Sequence, residues 1–369
     1  MSTNHGEAVM QKPVREYAKF IKGLLPANIP ETYALKPMFA NVASEENVRN
    51  GVIAFRDFLH LFCDLLISDG HLYTKPKKTK SLTDYPFLHN INNLLIDIGY
   101  YGKLSENGDS LLITELPLIA DQKPKIPVSK QRECMQFLSH CGFVFTGIDL
   151  NSKTFVFSQG QLFEVSYPDN PILLTGLKAL SIADMELRET RRYWNDDNLL
   201  RCDYRLIKAE DTDMIDVLKD FLKPLSEKLQ EFVLELHQRY IDMGMTCVMI
   251  TDDQYHFAYS YINNSRRALS PREIYQMRVW EFAISMKYGY CLAIRAKKTD
   301  KYIDVVEKFP LFLQEKITQG YGCDRKRNEL CQGGCQGIRI PLDDSVFEIK
   351  QDIEIWLDNE VPSFIVKQL

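Results

Sequence analysis

The sequence predicts an α+β protein: a helical N-terminal part with winged-helix-like hairpins, followed by an antiparallel-sheet domain with flanking helices. Three observations predict it. Apolar residues recur at helical spacing over Val48, Val52, Phe55, Leu59 and Phe62, and again over Leu229, Phe232, Val233, Leu236 and Tyr240. From Gly244 the period changes to two, in runs rich in β-branched and aromatic residues. Runs of helices beside an antiparallel sheet define the class.

Taken in order, the first clear helix spans 44–68. Ser44 suits its cap, and Glu45 and Glu46 complement the positive end of the helix dipole. A basic stretch, Lys75-Pro-Lys-Lys-Thr-Lys80, follows. A second helix over 86–98 stops at Gly99, and 100–114 reads as a hairpin turning through Asn107-Gly108. After the linker 121–127 the plan repeats. A helix over 129–141 stops at Gly142, and 143–158 alternates like two strands. Glycine ending a helix in the left-handed conformation accounts for the similarity without a duplication.

Helical spacing returns in Leu173, Leu177, Leu180 and Met185, and then over 212–222 and 226–243, separated by Pro224. Strands are predicted at 246–251, 255–261, 279–286 and 290–296. Two helices over 299–319, a cysteine loop, a short strand at 337–340 and a helix near 345–358 close the chain. The expected organisation is a helical and hairpin region over 1–120, a second helix-plus-hairpin region with linker over 121–205, and a C-terminal α+β domain over 206–369.

Composition narrows the function classes. The chain has 369 residues, 45% hydrophobic and 26% charged, ordinary values for a soluble globular protein of about two or three domains. A formal charge of −5 argues against a whole-molecule grip on nucleic acid or an anionic membrane. Met1 to Lys12 is polar, so no secretory signal is expected. The most apolar helical stretch, Phe58 to Ile67, contains His60 and Asp64 and is too short to span a bilayer. Nine cysteines without a regular framework fit a reducing compartment, so a cytoplasmic protein without membrane attachment is expected.

The densest chemistry is Cys323-Asp-Arg-Lys-Arg-Asn-Glu-Leu-Cys331-Gln-Gly-Gly-Cys335, three thiols within thirteen residues among several glycines. Thiolates are soft ligands, and Zn²⁺ takes four donors in a tetrahedron. Cys323, Cys331 and Cys335 supply three, with Cys291, Cys247 or His256 as the fourth; Cys291 is the expected choice. The neighbouring Arg325, Lys326 and Arg327 lower a thiol's pKa, which supports a thiol-dependent redox protein or enzyme as an alternative. The glycines form neither GxGxxG after a strand nor GxxxxGK[ST], so no phosphate loop is expected.

Helix, basic turn, helix and hairpin over 44–114 is also the element order of a winged helix. In that alternative, a DNA-binding transcriptional regulator, Lys75, Lys77, Lys78 and Lys80 contact phosphates. The helix expected to enter the groove carries Asn90, Asn92 and Asn93 but no Lys or Arg. Tyr255, Phe257, Tyr259 and Tyr261 alternate on one strand, and Trp280, Phe282 and Ile284 on another. Each set shares a sheet face, as core or as the lining of a ligand cavity. His60, His140 and His237 have no partner at triad or metal-ligand spacing. The expected function is a non-enzymatic binding or regulatory protein with a structural zinc loop, its partner a small ligand or another protein.

Trp280 to Asp344 resembles the C-terminal regions of uncharacterised bacterial proteins. Paired strands are followed by a Lys-Tyr-x-x-Val-x-x-Phe-Pro-like helix (Lys301 to Pro310), a Gly- and Cys-rich loop and an Arg-x-Pro-Leu-Asp-Asp-like strand end (Arg339 to Asp344). The resemblance implies a bacterial origin and no particular activity. The zinc expectation is checked by metal analysis: about one Zn²⁺ per chain after chelator-free purification, with melting lowered by EDTA. Metal-free protein whose melting ignores EDTA rejects it.

Overall fold

The computed structural model describes residues 4–69, 86–114, 128–152, 162–190, 199–251, 255–261, 269–285, 288–296, 299–319 and 337–365. They belong to two compact units, Met1–Thr212 and Asp213–Leu369. The class is α+β. The N-terminal unit contains helices α1 (Asn4–Leu24), α2 (Glu45–Asp69) and α3 (Pro86–Tyr101), strands β1 (Lys103–Leu104) and β2 (Ser110–Ile113), helix α4 (Val128–His140), strands β3 (Val144–Thr146) and β4 (Phe163–Ser166), and helix α5 (Leu173–Thr190). No described helix is long and apolar enough to cross a membrane.

Helix α1 was not anticipated from the sequence. Val14, Tyr17, Ala18, Ile21 and Leu24 are buried along it, and they follow a sequence, Asn4 to Lys12, with no apolar periodicity. Helices α2 and α5 form the centre of the unit and cross where Gly51 meets Gly176. A Cβ on Gly51 would lie 2.5 Å from the Gly176 nitrogen, and one on Gly176 would lie 2.2 Å from the Gly51 carbonyl. The two backbones touch, which only glycine allows on both sides.

Gly99 behaves differently from the helix stop read in the sequence. Helix α3 runs on to Tyr101, and Gly99 lies inside it against α5, where a Cβ would meet Ser181 Oγ at 2.2 Å. The last turn of α3 is instead closed by Lys178 of α5, whose Nζ donates to the carbonyls of Gly99, Tyr100 and Gly102 at 3.3, 3.3 and 2.6 Å. A cation at the negative end of a helix is favourable. Burial pushes its pKa below the ordinary lysine value. Gly142, by contrast, does end α4 in the left-handed region, at φ +102°.

The two helix–hairpin segments do not stand apart. Strand β2 of the first pairs antiparallel with β4 of the second, Leu111 opposite Val165, giving one four-stranded sheet in the order β1-β2-β4-β3. The sequence regions 1–120 and 121–205 thus meet in one sheet. In the same unit, Asp203 is buried between Arg201 and Arg205, at 3.6 and 2.7 Å. Burial raises its carboxyl, but the two guanidiniums outweigh burial and hold it below the usual range.

The C-terminal unit begins with α6 (Met214–Leu222) and α7 (Glu227–Asp242). Strands β5 (Thr246–Thr251) and β6 (Tyr255–Ser260), helix α8 (Pro271–Gln276) and strands β7 (Trp280–Ser285) and β8 (Gly289–Ile294) follow. Helices α9 (Ile303–Val306) and α10 (Leu311–Gln319), strand β9 (Ile338–Pro341) and helix α11 (Lys350–Ile365) complete it. The sheet is an antiparallel meander, β5-β6-β7-β8-β9.

Its aromatic residues are core. Tyr259 and Trp280, opposite each other in register, stack at 3.8 Å with ring planes 4° apart. Tyr240 of α7 meets Trp280 edge-on at 5.4 Å, and Phe221 of α6 lies 5.3 Å from both Tyr255 and Phe257. Tyr259 O–H is 2.8 Å from His237 Nδ1. Burial keeps His237 below the ordinary histidine pKa, with Asp213 acting the other way. Helix α11 adds Trp356, whose Nε1 donates to Tyr302 Oη at 3.3 Å, and Asp358, which accepts from Tyr240 Oη at 3.1 Å.

The glycine crossing is the sharpest stability determinant of the N-terminal unit. Gly51→Ala and Gly176→Ala are each expected to cost about 3 kcal/mol or more, because the methyl meets backbone that cannot rotate away. Gly108→Ala, at φ +73° in the open β1–β2 turn with nothing within 4 Å, is expected to cost only about 1 kcal/mol. Urea unfolding of the three variants gives the order; equal losses at all three would refute the crossing as the constraint.

Candidate functional site

Period-two alternation puts the residues between the aromatics on the opposite face of the C-terminal sheet. In β6 these are His256, Ala258 and Ser260; in β7, Glu281, Ala283 and Ser285; in β8, Cys291 and Ala293; in β9, Arg339. Every one of them is buried. Arg278 leads into β7 and Arg295 follows β8. Five ionisable side chains, His256, Arg278, Glu281, Arg295 and Arg339, are therefore buried in a face that a water-soluble domain would ordinarily fill with apolar residues.

Glu281 is the hub, at 0% exposure. Its Oε2 lies 2.7 Å from Arg278 Nε and 3.2 Å from His256 Nδ1, at ion-pair distance but outside hydrogen-bond alignment. Register places Ala258 on one side of Glu281 and Ala293 on the other, with Arg339 one strand further.

Aromatic rings orient the guanidiniums. Arg278 stacks on Tyr275 of α8 at 3.8 Å, and its Nη1 donates to the Tyr275 carbonyl at 3.1 Å. Arg339 lies over the Tyr288 ring at 4.4 Å. Arg295 Nη1 donates to the Gln276 carbonyl at 3.1 Å. Helix α8 is held by a capping box, Ser270 Oγ accepting from Glu273 N–H while the Glu273 carboxylate accepts from Ser270 N–H, and Tyr275 also approaches His256 at 5.2 Å. Stacking and bonding fix the plane of each fork, the geometry suited to oxyanions.

The residues expected from sequence fall differently. Cys323, Cys331 and Cys335 lie outside the described residues, as do Lys75, Lys77, Lys78 and Lys80. Cys291 is described and sits on the charged face, its Sγ 3.8 Å from Arg339 Nη1. Burial pushes its thiol up to about 11, with Arg339 lowering it and Glu281 raising it. A guanidinium is an unfavourable neighbour for a divalent cation. Cys247 points to the aromatic face and so cannot share a metal with Cys291, whereas His256 shares Cys291's face. Among the described residues no group of three His, Cys, Asp or Glu is arranged to hold a metal ion.

Four further thiols, Cys63, Cys141, Cys202 and Cys247, are held above the ordinary cysteine range by burial, which disfavours the thiolate. Burial pushes Cys63, Cys141 and Cys247 each up to about 12. The helix expected to read DNA, α3, buries Phe87, Leu88, Ile91, Asn92, Leu94 and Leu95, which leaves Asn92 no route to a groove. His237 bonds Tyr259 in the aromatic core, and burial holds both His60 and His237 below the usual range.

Sequence reasoning attended to the aromatic half of the alternation and passed over the intervening half. The signal was present: His256, Glu281 and Arg339 occupy positions out of phase with the rings on strands too apolar to face water. Compared with protein-family models, curated proteins and solved structures, the chain matches none.

The hub yields a stability prediction. Glu281→Ala leaves Arg278 buried without its counter-charge and is expected to cost about 3–5 kcal/mol in denaturant unfolding. A loss under about 1 kcal/mol would show that the carboxylate does not compensate the guanidinium.

Proposed function

We propose that the C-terminal unit is a non-enzymatic binding module that takes a small anionic ligand on the charged face of its sheet. The observation that carries this reading is the burial of three arginines, Arg278, Arg295 and Arg339, with a single carboxylate, Glu281, on one side of one sheet.

Stability alone gives no reason for such a face. Replacing a buried ion pair with well-packed apolar residues is often neutral or stabilising, so a fold gains little from keeping one. Guanidiniums with planes fixed by tyrosine rings are matched to phosphate or carboxylate oxygens, which accept two parallel N–H bonds from one fork. In a site shielded from water these bonds are stronger than at a surface.

Thermal unfolding of the full chain in phosphate and in chloride at matched ionic strength tests the reading. A bound anion stabilises by mass action, about 2.7 kcal/mol at ~100 times Kd, so the melting temperature rises with phosphate but not with chloride. Arg339→Lys keeps the charge but loses the fork, and is expected to abolish most of the rise while unfolding stays cooperative. Superimposable melting in the two salts would reject the proposal.

A further inference from the structure

Helix α7 is fastened to the sheet through a titratable ring. His237 is buried in the aromatic core, with its Nδ1 2.8 Å from Tyr259 Oη and the two rings edge-to-face at 5.7 Å. Tyr259 in turn stacks on Trp280, and Tyr240, also on α7, meets the same indole edge-on. The bond therefore lies inside the packing that joins α7 to β6 and β7. His237 has no partner at a functional spacing in the sequence, and in the fold its partner is a phenol.

Neutral and charged imidazole differ in what they offer that phenol. The neutral ring has one donor and one acceptor nitrogen, whereas the cation has two donors and no acceptor. Protonation obliges Tyr259 Oη to accept from Nδ1 and to send its own proton toward Cys247 Sγ, its other hydrogen-bond neighbour; sulfur is a weak acceptor. It also places a charge among aromatic rings, where burial disfavours it. Burial holds His237 below the ordinary range and outweighs Asp213, the charged group that favours the cation. Cys247 on β5 and Tyr240 on α7 supply no counter-charge, because burial pushes both up and keeps them neutral. On α6, Asp216 pairs with Lys219 and Asp220 with Lys223. On α11, Asp358 is engaged by Arg239 and by Tyr240 Oη.

We propose that His237 is an acid-sensitive joint of the C-terminal unit, holding α7 on the sheet while neutral and loosening it when protonated. The joint lies on the aromatic face, so it is independent of the anion reading of the opposite face. Linkage sets the sign. The folded chain binds this proton less readily than the unfolded one, so stability is complete above the unfolded pKa of about 6.5 and falls as pH drops below it. The unit is firm at neutral pH and yields in mildly acidic surroundings.

Urea unfolding of the full chain and of His237→Gln, at about pH 7.5 and about pH 5.5 and followed by tryptophan fluorescence, tests the joint. Glutamine still offers Tyr259 Oη a hydrogen-bond partner but does not titrate. Between those pH values the folding constant of the unaltered chain is expected to fall about threefold to about tenfold further than that of the variant. About tenfold is the ceiling for one histidine one unit below its unfolded pKa. His256 and every carboxylate are present in both chains and cancel in the difference. Equal losses in the two chains would overturn the proposal. If His237→Gln does not fold, histidine-ring NMR on the unaltered chain decides. The ring in contact with Tyr259 is expected to titrate below about 6.5, and titration at or above that value would overturn the joint.

Discussion

Strand β7 has no solvent face, and the C-terminal unit is organised around that constraint. Trp280, Phe282 and Ile284 enter a core built with α6 and α7, while Glu281, Ala283 and Ser285 enter a second buried layer on the other side. A strand buried on both sides is ordinarily apolar on both. Here one side carries aromatic rings and the other carries charge. The Tyr259–Trp280 stack fixes the sheet on the first side. On the second, Glu281 must compensate Arg278 within the protein, because water is excluded.

The N-terminal unit solves a different packing problem. Helices α2 and α5 approach until their backbones touch at Gly51 and Gly176, and α3 comes nearly as close to α5 at Gly99. Such close approach leaves no room for a side chain, and it creates buried helix ends that need donors. Lys178 meets that need at the end of α3. The pairing of β2 with β4 then joins two similar helix–hairpin segments into a single sheet, with β1 of the first hairpin at its edge.

The charged face relates fold to function through the energetics of burial. Placing His256, Glu281, Arg278, Arg295 and Arg339 out of water is unfavourable unless each charge is matched, and apolar residues of similar volume would serve the core at least as well.

The sequence by itself determined the class, most of the helices and the phase of the C-terminal strands, because hydrophobic periodicity records which residues leave water; it did not show α1 or α8. The helices over 45–69, 214–222 and 227–242 and the four-strand run from Thr246 to Ile294 were legible for that reason. It also carried His256, Glu281 and Arg339 in the alternate phase, without saying whether that phase met solvent. Only the tertiary structure decided that it did not. Burial of a sheet's second face depends on what packs over it, and the pairing of β8 with β9 brings Arg339 into the row of Glu281 across an interval of chain that no local pattern spans. The roles of Gly51, Gly99 and Gly176 were settled the same way, since a glycine needed for close approach looks identical in sequence to one that ends a helix.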